Sequence, residues 1–143
     1  MKHTPSPVQN GYRIIAMIIL LIIGINALAA GYGFMRDPSG NSIGIGLDYL
    51  RSNALFQDYL VPGIILFIVL GIGSVVVMVI TWKRLPGFVF WILVQGTIYA
   101  LWIIVQLTMV TTFHLLHLVI FLAGVGLVAC AFKLKAIQKL LAD

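Results

Sequence analysis

The stretch YLVPGIILFIVLGIGSVVVMVIT, residues Tyr59–Thr81, contains no charged side chain. At about 1.5 Å of rise per residue, a helix of this length crosses the ~30 Å hydrocarbon core of a bilayer. The run is continuously apolar and lacks the alternation of a barrel strand, so it predicts a helix. A helix that is apolar on every side is typical of a membrane span.

Three further runs of the same kind lie at about 13–34, 88–109 and 113–132. The composition agrees, because 62% of the residues are hydrophobic and 9% are charged, whereas a soluble domain carries about 25% charged residues. We therefore predict an all-α integral membrane protein, folded over residues 1–143 as one antiparallel four-helix bundle.

Ala27-Leu28-Ala29 has the form of a signal-peptide cleavage site. The first run exceeds the ~7–15 residues of a signal-peptide core, however, so we expect a retained helix.

Basic residues are distributed unevenly between the two ends of these predicted helices. Only Arg36 and Arg51 occupy the first and third connections. The N-terminal segment, the second connection and the C-terminal segment hold the other seven: Lys2, Arg13, Lys83, Arg84, Lys133, Lys135 and Lys139. Because Lys and Arg concentrate on the cytoplasmic side of a membrane, we expect a multi-pass cell-membrane protein with both termini cytoplasmic. The net charge of +5 then reflects membrane boundaries, and nucleic acid is not an expected partner.

Residues 35–58 form the longest connection and are expected on the outer side. Asp37-Pro38-Ser39-Gly40 matches a type I turn. Helical spacing of apolar residues in 43–50 predicts a short outer interfacial helix, with Asp48 and Arg51 as an i,i+3 pair. We expect this segment to act as a lid over the bundle; the alternative is the wall of an outward-facing binding site.

The run NALAAGYGFMRDPSG (residues 26–40), followed by Asp58-Tyr-Leu-x-Pro-Gly63, resembles a family of uncharacterised small bacterial membrane proteins. The members look like four-helix proteins that share the Asp-Pro-Ser-Gly loop and this start to the second helix. The resemblance extends over residues 24–73. It implies a bacterial inner-membrane protein of this fold, and it implies no particular activity.

Named four-helix families fit less well. The chain contains no Glu, which a small multidrug transporter needs in its first helix. A single cysteine, Cys130, excludes the cysteine pairs of a thiol oxidoreductase. No Asp, Lys or Arg lies in the middle of a predicted span, which argues against a proton-coupled pump.

Polar and aromatic side chains follow one stripe of the third predicted helix. Their steps of 4, 4, 3 and 4 place them on one face: Trp91, Gln95, Tyr99, Trp102 and Gln106. Since unpaired polar groups are costly in lipid, the stripe is predicted to face the interior, close to Asn26. One interpretation is interhelical hydrogen bonding. The other is a cavity for a lipid-like or aromatic ligand, with a binding set of Asn26, Asp48, Gln95, Tyr99, Trp102, Gln106 and His117.

Two histidines, His114 and His117, lie on adjacent turns of the fourth predicted helix. This spacing could present two imidazoles to a metal, with Asp37, Asp48 or Asp58 as a third ligand. Ordinary packing at the interface is the alternative interpretation. We expect no other cofactor.

These features favour a non-enzymatic protein that binds a lipid-like ligand or a membrane partner. One alternative is an oligomeric channel or passive transporter. Another is a metal-dependent membrane enzyme that uses His114 and His117. The expected partners are membrane lipids and either further copies of the chain or another membrane protein.

Overall fold

The structure is a computed structural model that describes residues 6–142. Four long helices make up most of this part of the chain, and each is long and apolar enough to cross a membrane. They are α1 (Pro7–Arg36), α2 (Leu60–Trp82), α3 (Phe88–Met109) and α4 (Leu115–Ala142). The predicted all-α four-helix bundle is confirmed. Helices α1 and α4 extend beyond the predicted 13–34 and 113–132, because their polar flanks continue the helix.

Local chemistry explains where three of the helices begin. Ser6 Oγ accepts the N–H of Gln9 across 3.2 Å, and the proline after it needs no N–H partner at the first helical position. At the start of α2 the N-cap residue is Tyr59, and Asp58 Oδ1, one residue earlier, accepts the N–H of Leu60 across 3.0 Å. Helix α3 begins after Gly87, whose φ of 80° closes the tight turn from α2.

The helices form a ring in which each packs against its sequence neighbours and α4 returns to α1. Glycines allow the closest approaches. A Cβ added to Gly96 of α3 would lie 2.8 Å from the Gly124 carbonyl oxygen of α4, and the reverse substitution meets the Gly96 oxygen at the same distance. Such contact between small residues is how helices associate in lipid, where burial from water supplies no force between them.

Most of the buried side chains of the bundle are apolar. Each helix contributes side chains that are almost completely buried: Leu20, Leu70, Ile92, Ile103, Leu127 and Leu134. The outer surface is apolar as well, with large side chains more than 40% exposed on every helix, including Ile25, Ile68, Leu101 and Leu122. An apolar interior with an equally apolar exterior is expected of helices that are solvated by hydrocarbon.

The two ends of the bundle differ. At the basic end, which carries Lys83 and Arg84, the α2–α3 turn is tied to α1. Arg84 Nη2 donates to Asn10 Oδ1 across 2.6 Å, and Arg13 Nη1 donates to the Trp82 carbonyl across 3.3 Å. At the other end, here called the loop end, residues 37–59 lie over the helices and form the lid.

The short helix predicted over residues 43–50 is not formed; the lid contains two separate 3₁₀ turns instead, Asn41–Ile43 and Leu47–Tyr49. Gly40 and Gly44 flank the first turn with φ of 74°, a left-handed conformation that prevents one continuous helix. Arg51 does not pair with Asp48 as predicted. Its Nε donates instead to the carbonyl of Val110 across 2.9 Å, on the α3–α4 connection.

The middle of α2 departs from α-helical geometry. Residues Leu66–Ile72 form a π-helical segment, with the N–H of Gly73 bonded to the carbonyl of Ile68. A π segment widens the helix and disturbs the regular pairing of its carbonyls. This irregularity lies about halfway along α2, where a surrounding bilayer would offer no hydrogen bonds.

Candidate functional site

A cavity of about 470 Å³ lies under the lid, between the loop ends of α1 and α4. Its walls are mostly apolar. Helix α1 supplies one wall with Ile22, Ile23, Asn26, Ala27, Ala30 and Phe34. Helix α4 supplies the opposite wall with Leu116, His117, Val119 and Ile120. Leu66 and Leu70 of α2 form the floor, and the lid covers the cavity with Ile43, Ile45, Tyr49 and Leu50.

The cavity opens sideways through the bundle surface. Nearer the basic end the two helices approach, since a Cβ added to Gly126 of α4 would lie 3.6 Å from Ile19 Cδ1 of α1. Closer to the lid, wall residues are also on the outer surface: Ile22 is 54% exposed, Leu116 62% and Val119 49%. The opening therefore faces the direction from which hydrocarbon would contact the bundle.

The first attachment of the lid is the predicted turn after α1. The Asp37 carboxylate accepts hydrogen bonds from Ser39 Oγ at 2.6 Å, Ser39 N at 3.1 Å and Ser42 N at 2.9 Å. The N–H of Gly40 closes the turn on the Asp37 carbonyl across 2.9 Å. These hydrogen bonds, that of the Ser39 hydroxyl above all, hold the pKa of Asp37 below its usual value.

Tyr59 forms the second attachment. Its N–H donates to the Pro38 carbonyl across 2.9 Å, and its hydroxyl donates to the Gly46 carbonyl across 3.2 Å. The ring stacks on Phe34 of α1 with centroids 4.6 Å apart. Burial, and secondarily the negative charge of Asp48, raise the pKa of Tyr59, so the phenol stays a neutral donor.

The third attachment joins the lid to the α3–α4 connection. The N–H of Arg51 donates to the Met109 carbonyl, and the N–H of Thr111 donates to the Tyr49 carbonyl, each across 2.8 Å. These bonds flank an antiparallel bridge between Leu50 and Val110. The lid is thus continuous with the end of α1 and the start of α2, and hydrogen bonds fasten it to the end of α3 and to the α3–α4 connection.

The structure brings Asn26, Gln106, His114 and His117, all predicted site residues, to the wall of this one cavity. Asn26 is exposed rather than in the interior beside the stripe as predicted, and it lines the cavity from the open side. It donates its amide to the Ile22 carbonyl of its own helix across 2.8 Å, which leaves the side-chain oxygen as an acceptor. Gln106 lies half-buried in the last turn of α3. Asp48, also predicted, is exposed on the lid and does not line the cavity.

The histidine pair has a local structural role. The N–H of His114 donates to Nδ1 of His117 across 3.1 Å, just where α4 begins. His117 thereby closes the helix start as the Glu or Gln of a capping box does. Within residues 6–142, no three His, Cys, Asp or Glu side chains form a group that could hold a metal. The predicted third ligand from Asp37, Asp48 or Asp58 is therefore not brought to the histidines.

Gln95 and Tyr99 belong to a closed polar cluster below the cavity floor. Gln95 Nε2 donates to Ser74 Oγ and to the Val69 carbonyl, each across 3.1 Å. Ser74 Oγ also hydrogen-bonds with the Tyr99 hydroxyl and the Leu70 carbonyl. Both carbonyls belong to the π segment of α2, so the cluster supplies donors where regular pairing is disturbed. For these two residues of the stripe, the structure shows the interhelical hydrogen bonds of the first interpretation.

The remaining stripe residues divide between inside and outside. Trp102 is buried, and within residues 6–142 its Nε1 has no hydrogen-bond partner. Trp91 is 44% exposed on the surface, contrary to the expected inward orientation, because it lies near the basic end of α3, beyond the polar cluster. Ser74 was not among the predicted site residues. It is the only side-chain hydroxyl between Leu60 and Ile80, and a lone hydroxyl in such an apolar run indicates a hydrogen bond to another helix.

Together the fold and the cavity define a small all-α bundle with a laterally open apolar cavity beneath a fastened lid. No family model, curated protein or solved structure matches the chain. The resemblance seen in residues 24–73 therefore stays a prediction, and the functional argument depends on the cavity and its lining residues.

Proposed function

We propose that the chain is a non-enzymatic, multi-pass protein of the cell membrane that binds one lipid-like amphiphile in the cavity between α1 and α4. In this proposal the loop end faces outward and both termini are cytoplasmic, as the distribution of Lys and Arg favours. The observation that carries the proposal is the sideways opening of a mostly apolar, lid-covered cavity between two helices that are apolar enough to span a bilayer.

The dimensions of the cavity support this occupant. A volume of about 470 Å³ lies within the range of roughly 300–1,000 Å³ that small-molecule sites occupy. From Phe34 to Ile22 the α1 wall descends about 18 Å at the helical rise, close to the ~15 Å hydrocarbon depth of one leaflet. An acyl or isoprenoid chain could therefore lie along the wall without leaving its own leaflet.

The distribution of polarity supports an amphiphile rather than a plain hydrocarbon. Gln106, His114 and His117 lie at the lid end of the cavity, whereas the floor consists of Leu66 and Leu70. A head group would contact the amide and imidazoles under the lid, and its chain would contact the floor and the helix walls. A pocket with a few placed polar groups on an apolar lining is the usual form of a selective ligand site.

Below the floor, the bundle is closed. Leu20, Ile92 and Leu127 are completely buried, and the Ser74–Gln95–Tyr99 cluster fills the interior between α2 and α3. Because the half of the bundle nearer the basic end is filled, it favours binding of a ligand from one leaflet and disfavours conduction along the axis of a single bundle. In an oligomeric channel, the conduction path would have to lie between neighbouring chains.

Photo-crosslinking tests the proposal directly. The purified protein would be placed in phosphatidylcholine nanodiscs that contain a lipid with a diazirine on its acyl chain, and the labelled peptides would be mapped by mass spectrometry. We expect labelling to concentrate on residues 22–30 of α1 and 116–120 of α4. The Ala30→Phe variant, which fills the cavity, should suppress that labelling.

The matched control is Leu101→Phe. Leu101 is 56% exposed on the surface of α3 and does not line the cavity, so this variant should label like the wild type. Labelling that is spread evenly over all exposed helix faces, and that Ala30→Phe leaves unchanged, would overturn the proposal.

A further inference from the structure

The lining of the cavity carries no charge. Within residues 6–142, no Lys, Arg, Asp or Glu side chain is among the residues that line it. Two charged groups of the loop end are engaged by hydrogen bonds of their own. Asp37 is held by Ser39 and Ser42. Arg51 does not itself line the cavity, and its Nε is engaged by the backbone carbonyl of Val110, a lining residue. A charged head group under the lid would therefore lose water and gain no counter-charge.

Neutral hydrogen-bonding groups take the place of charges. The Gln106 amide offers two donors and an acceptor, and the Asn26 side-chain oxygen offers an acceptor. Because His117 Nδ1 accepts the His114 N–H, we assign the proton of the neutral ring to Nε2, which makes that nitrogen a donor. The Tyr49 phenol also lines the cavity and both donates and accepts.

Building on the proposed function, we infer that the occupant is a neutral amphiphile whose head carries hydroxyl or carbonyl groups, and that phosphorylated lipids are discriminated against. Hydroxyls and carbonyls match donors and acceptors on Gln106, Asn26 and His117 without requiring a counter-charge. Diacylglycerols and isoprenoid quinones are two membrane sources of this same chemistry. A phosphate monoester on the same chains adds charge that the lining does not neutralise.

A matched pair of competitors tests the inference. Wild-type protein in phosphatidylcholine nanodiscs would be labelled with a photoactivatable diacylglycerol. Unlabelled diacylglycerol would then compete against phosphatidic acid with identical acyl chains, which differs only by its phosphate. We expect the concentration for half-inhibition to be at least about tenfold lower for the diacylglycerol. Equal or stronger competition by phosphatidic acid would overturn the inference.

A third competitor, an isoprenoid quinone, distinguishes the two sources. Stronger competition by the quinone than by the diacylglycerol assigns the site to carbonyl heads, and the reverse order assigns it to hydroxyl heads; both support a neutral ligand. If no lipid competes and Ala30→Phe labels like the wild type, the proposed function itself fails. If instead the site binds lipids but prefers charged head groups, phosphatidic acid competes and Ala30→Phe still suppresses the labelling, so only the inference fails.

A charge placed in the cavity gives an independent test. Gln106→Lys supplies the counter-charge that the lining lacks, so phosphatidic acid should compete better against this variant than against the wild type. Gln106→Leu removes the amide while keeping a similar size, and it should weaken competition by the diacylglycerol roughly three- to tenfold. Folding of both would be checked by helical circular dichroism and monodisperse elution. An unchanged lipid preference in a folded Gln106→Lys variant would contradict the inference.

Discussion

The side-chain amide of Gln95 lies 3.1 Å from Ser74 Oγ and joins the middle of α3 to the middle of α2. The same amide reaches the Val69 carbonyl, and Ser74 also bonds to the carbonyl of Leu70, the residue that forms the cavity floor. A polar contact between helices thus engages the π segment whose Leu66 and Leu70 side chains form the cavity floor. Its loss should affect both the stability of the bundle and the shape of the cavity.

We expect Gln95→Leu to destabilise the folded protein by about 1–3 kcal/mol, because Ser74 and the Val69 carbonyl lose their donor at mid-depth. Unfolding in mixed micelles, followed by circular dichroism, measures this change. Thr97→Val is the control, since Thr97 is exposed and donates only to the Leu93 carbonyl of its own helix. Equal stability of Gln95→Leu and Thr97→Val would contradict a structural role for the cluster.

Gly96→Ala should destabilise the α3–α4 contact by about 1–3 kcal/mol, because the new Cβ would lie 2.8 Å from the Gly124 carbonyl oxygen. Gly11→Ala provides the comparison. Gly11 also lies within a helix, but a methyl group added there would have no atom within 4 Å, so alanine should stabilise by up to ~1 kcal/mol. The same unfolding assay measures both variants, and shifts in the same direction would contradict the packing argument.

Substitutions of His117 separate helix capping from metal binding. Glutamine can accept the His114 N–H as it does in a capping box, so His117→Gln should unfold like the wild type. His117→Leu loses the cap and should be about 1 kcal/mol less stable. Elemental analysis of the three purified proteins completes the experiment. Stoichiometric metal in the wild type that is lost from both variants would favour the metal site.

The turn at Asp37 should depend on pH. Its pKa is lowered in the folded protein, so its contribution to lid stability is complete above the ordinary aspartate pKa of about 3.9. The contribution is then lost as the pH falls through the lower, folded value. Hydrogen exchange of residues 38–46 should accordingly show weaker protection in this acidic range, after correction for intrinsic rates.

The control for the Asp37 experiment is Asp37→Asn, which keeps the side-chain shape but has no carboxylate to titrate. Its protection of residues 38–46 should be lower near neutral pH and should not change through the acidic range. A wild-type lid whose protection is the same on both sides of this range would show that the carboxylate does not hold the turn.

Cysteine labelling tests the orientation. In a Cys130→Ala background, an impermeant thiol reagent added to intact cells should label Ser42→Cys on the lid. Lys83→Cys at the basic end should react only after the membrane is permeabilised. Both positions are exposed, so accessibility within the fold does not bias the comparison. The opposite pattern would reverse the proposed topology.

The sequence by itself determined the helices, because continuous apolar runs and charged ends depend only on local composition. It also predicted the Asp37–Gly40 turn and the start of the second helix beside Asp58, where hydrogen bonds join residues close together in the chain. The inward orientation of Gln95 and Tyr99 followed from helical spacing and from the cost of polar groups in lipid.

Only the tertiary structure decided which polar residues share a site. Gln95 and Gln106 lie on one stripe of α3, yet the first bonds to Ser74 and to the Val69 carbonyl of α2, whereas the second lines the cavity. Eleven residues separate them, about 16 Å along the helix axis, so they meet different levels of α2. Likewise, the cavity exists because α1 and α4 meet near Ile19 and Gly126 and leave space under the lid. The separation of two helices depends on the packing of residues more than 100 positions apart, and local sequence patterns carry no information about that distance.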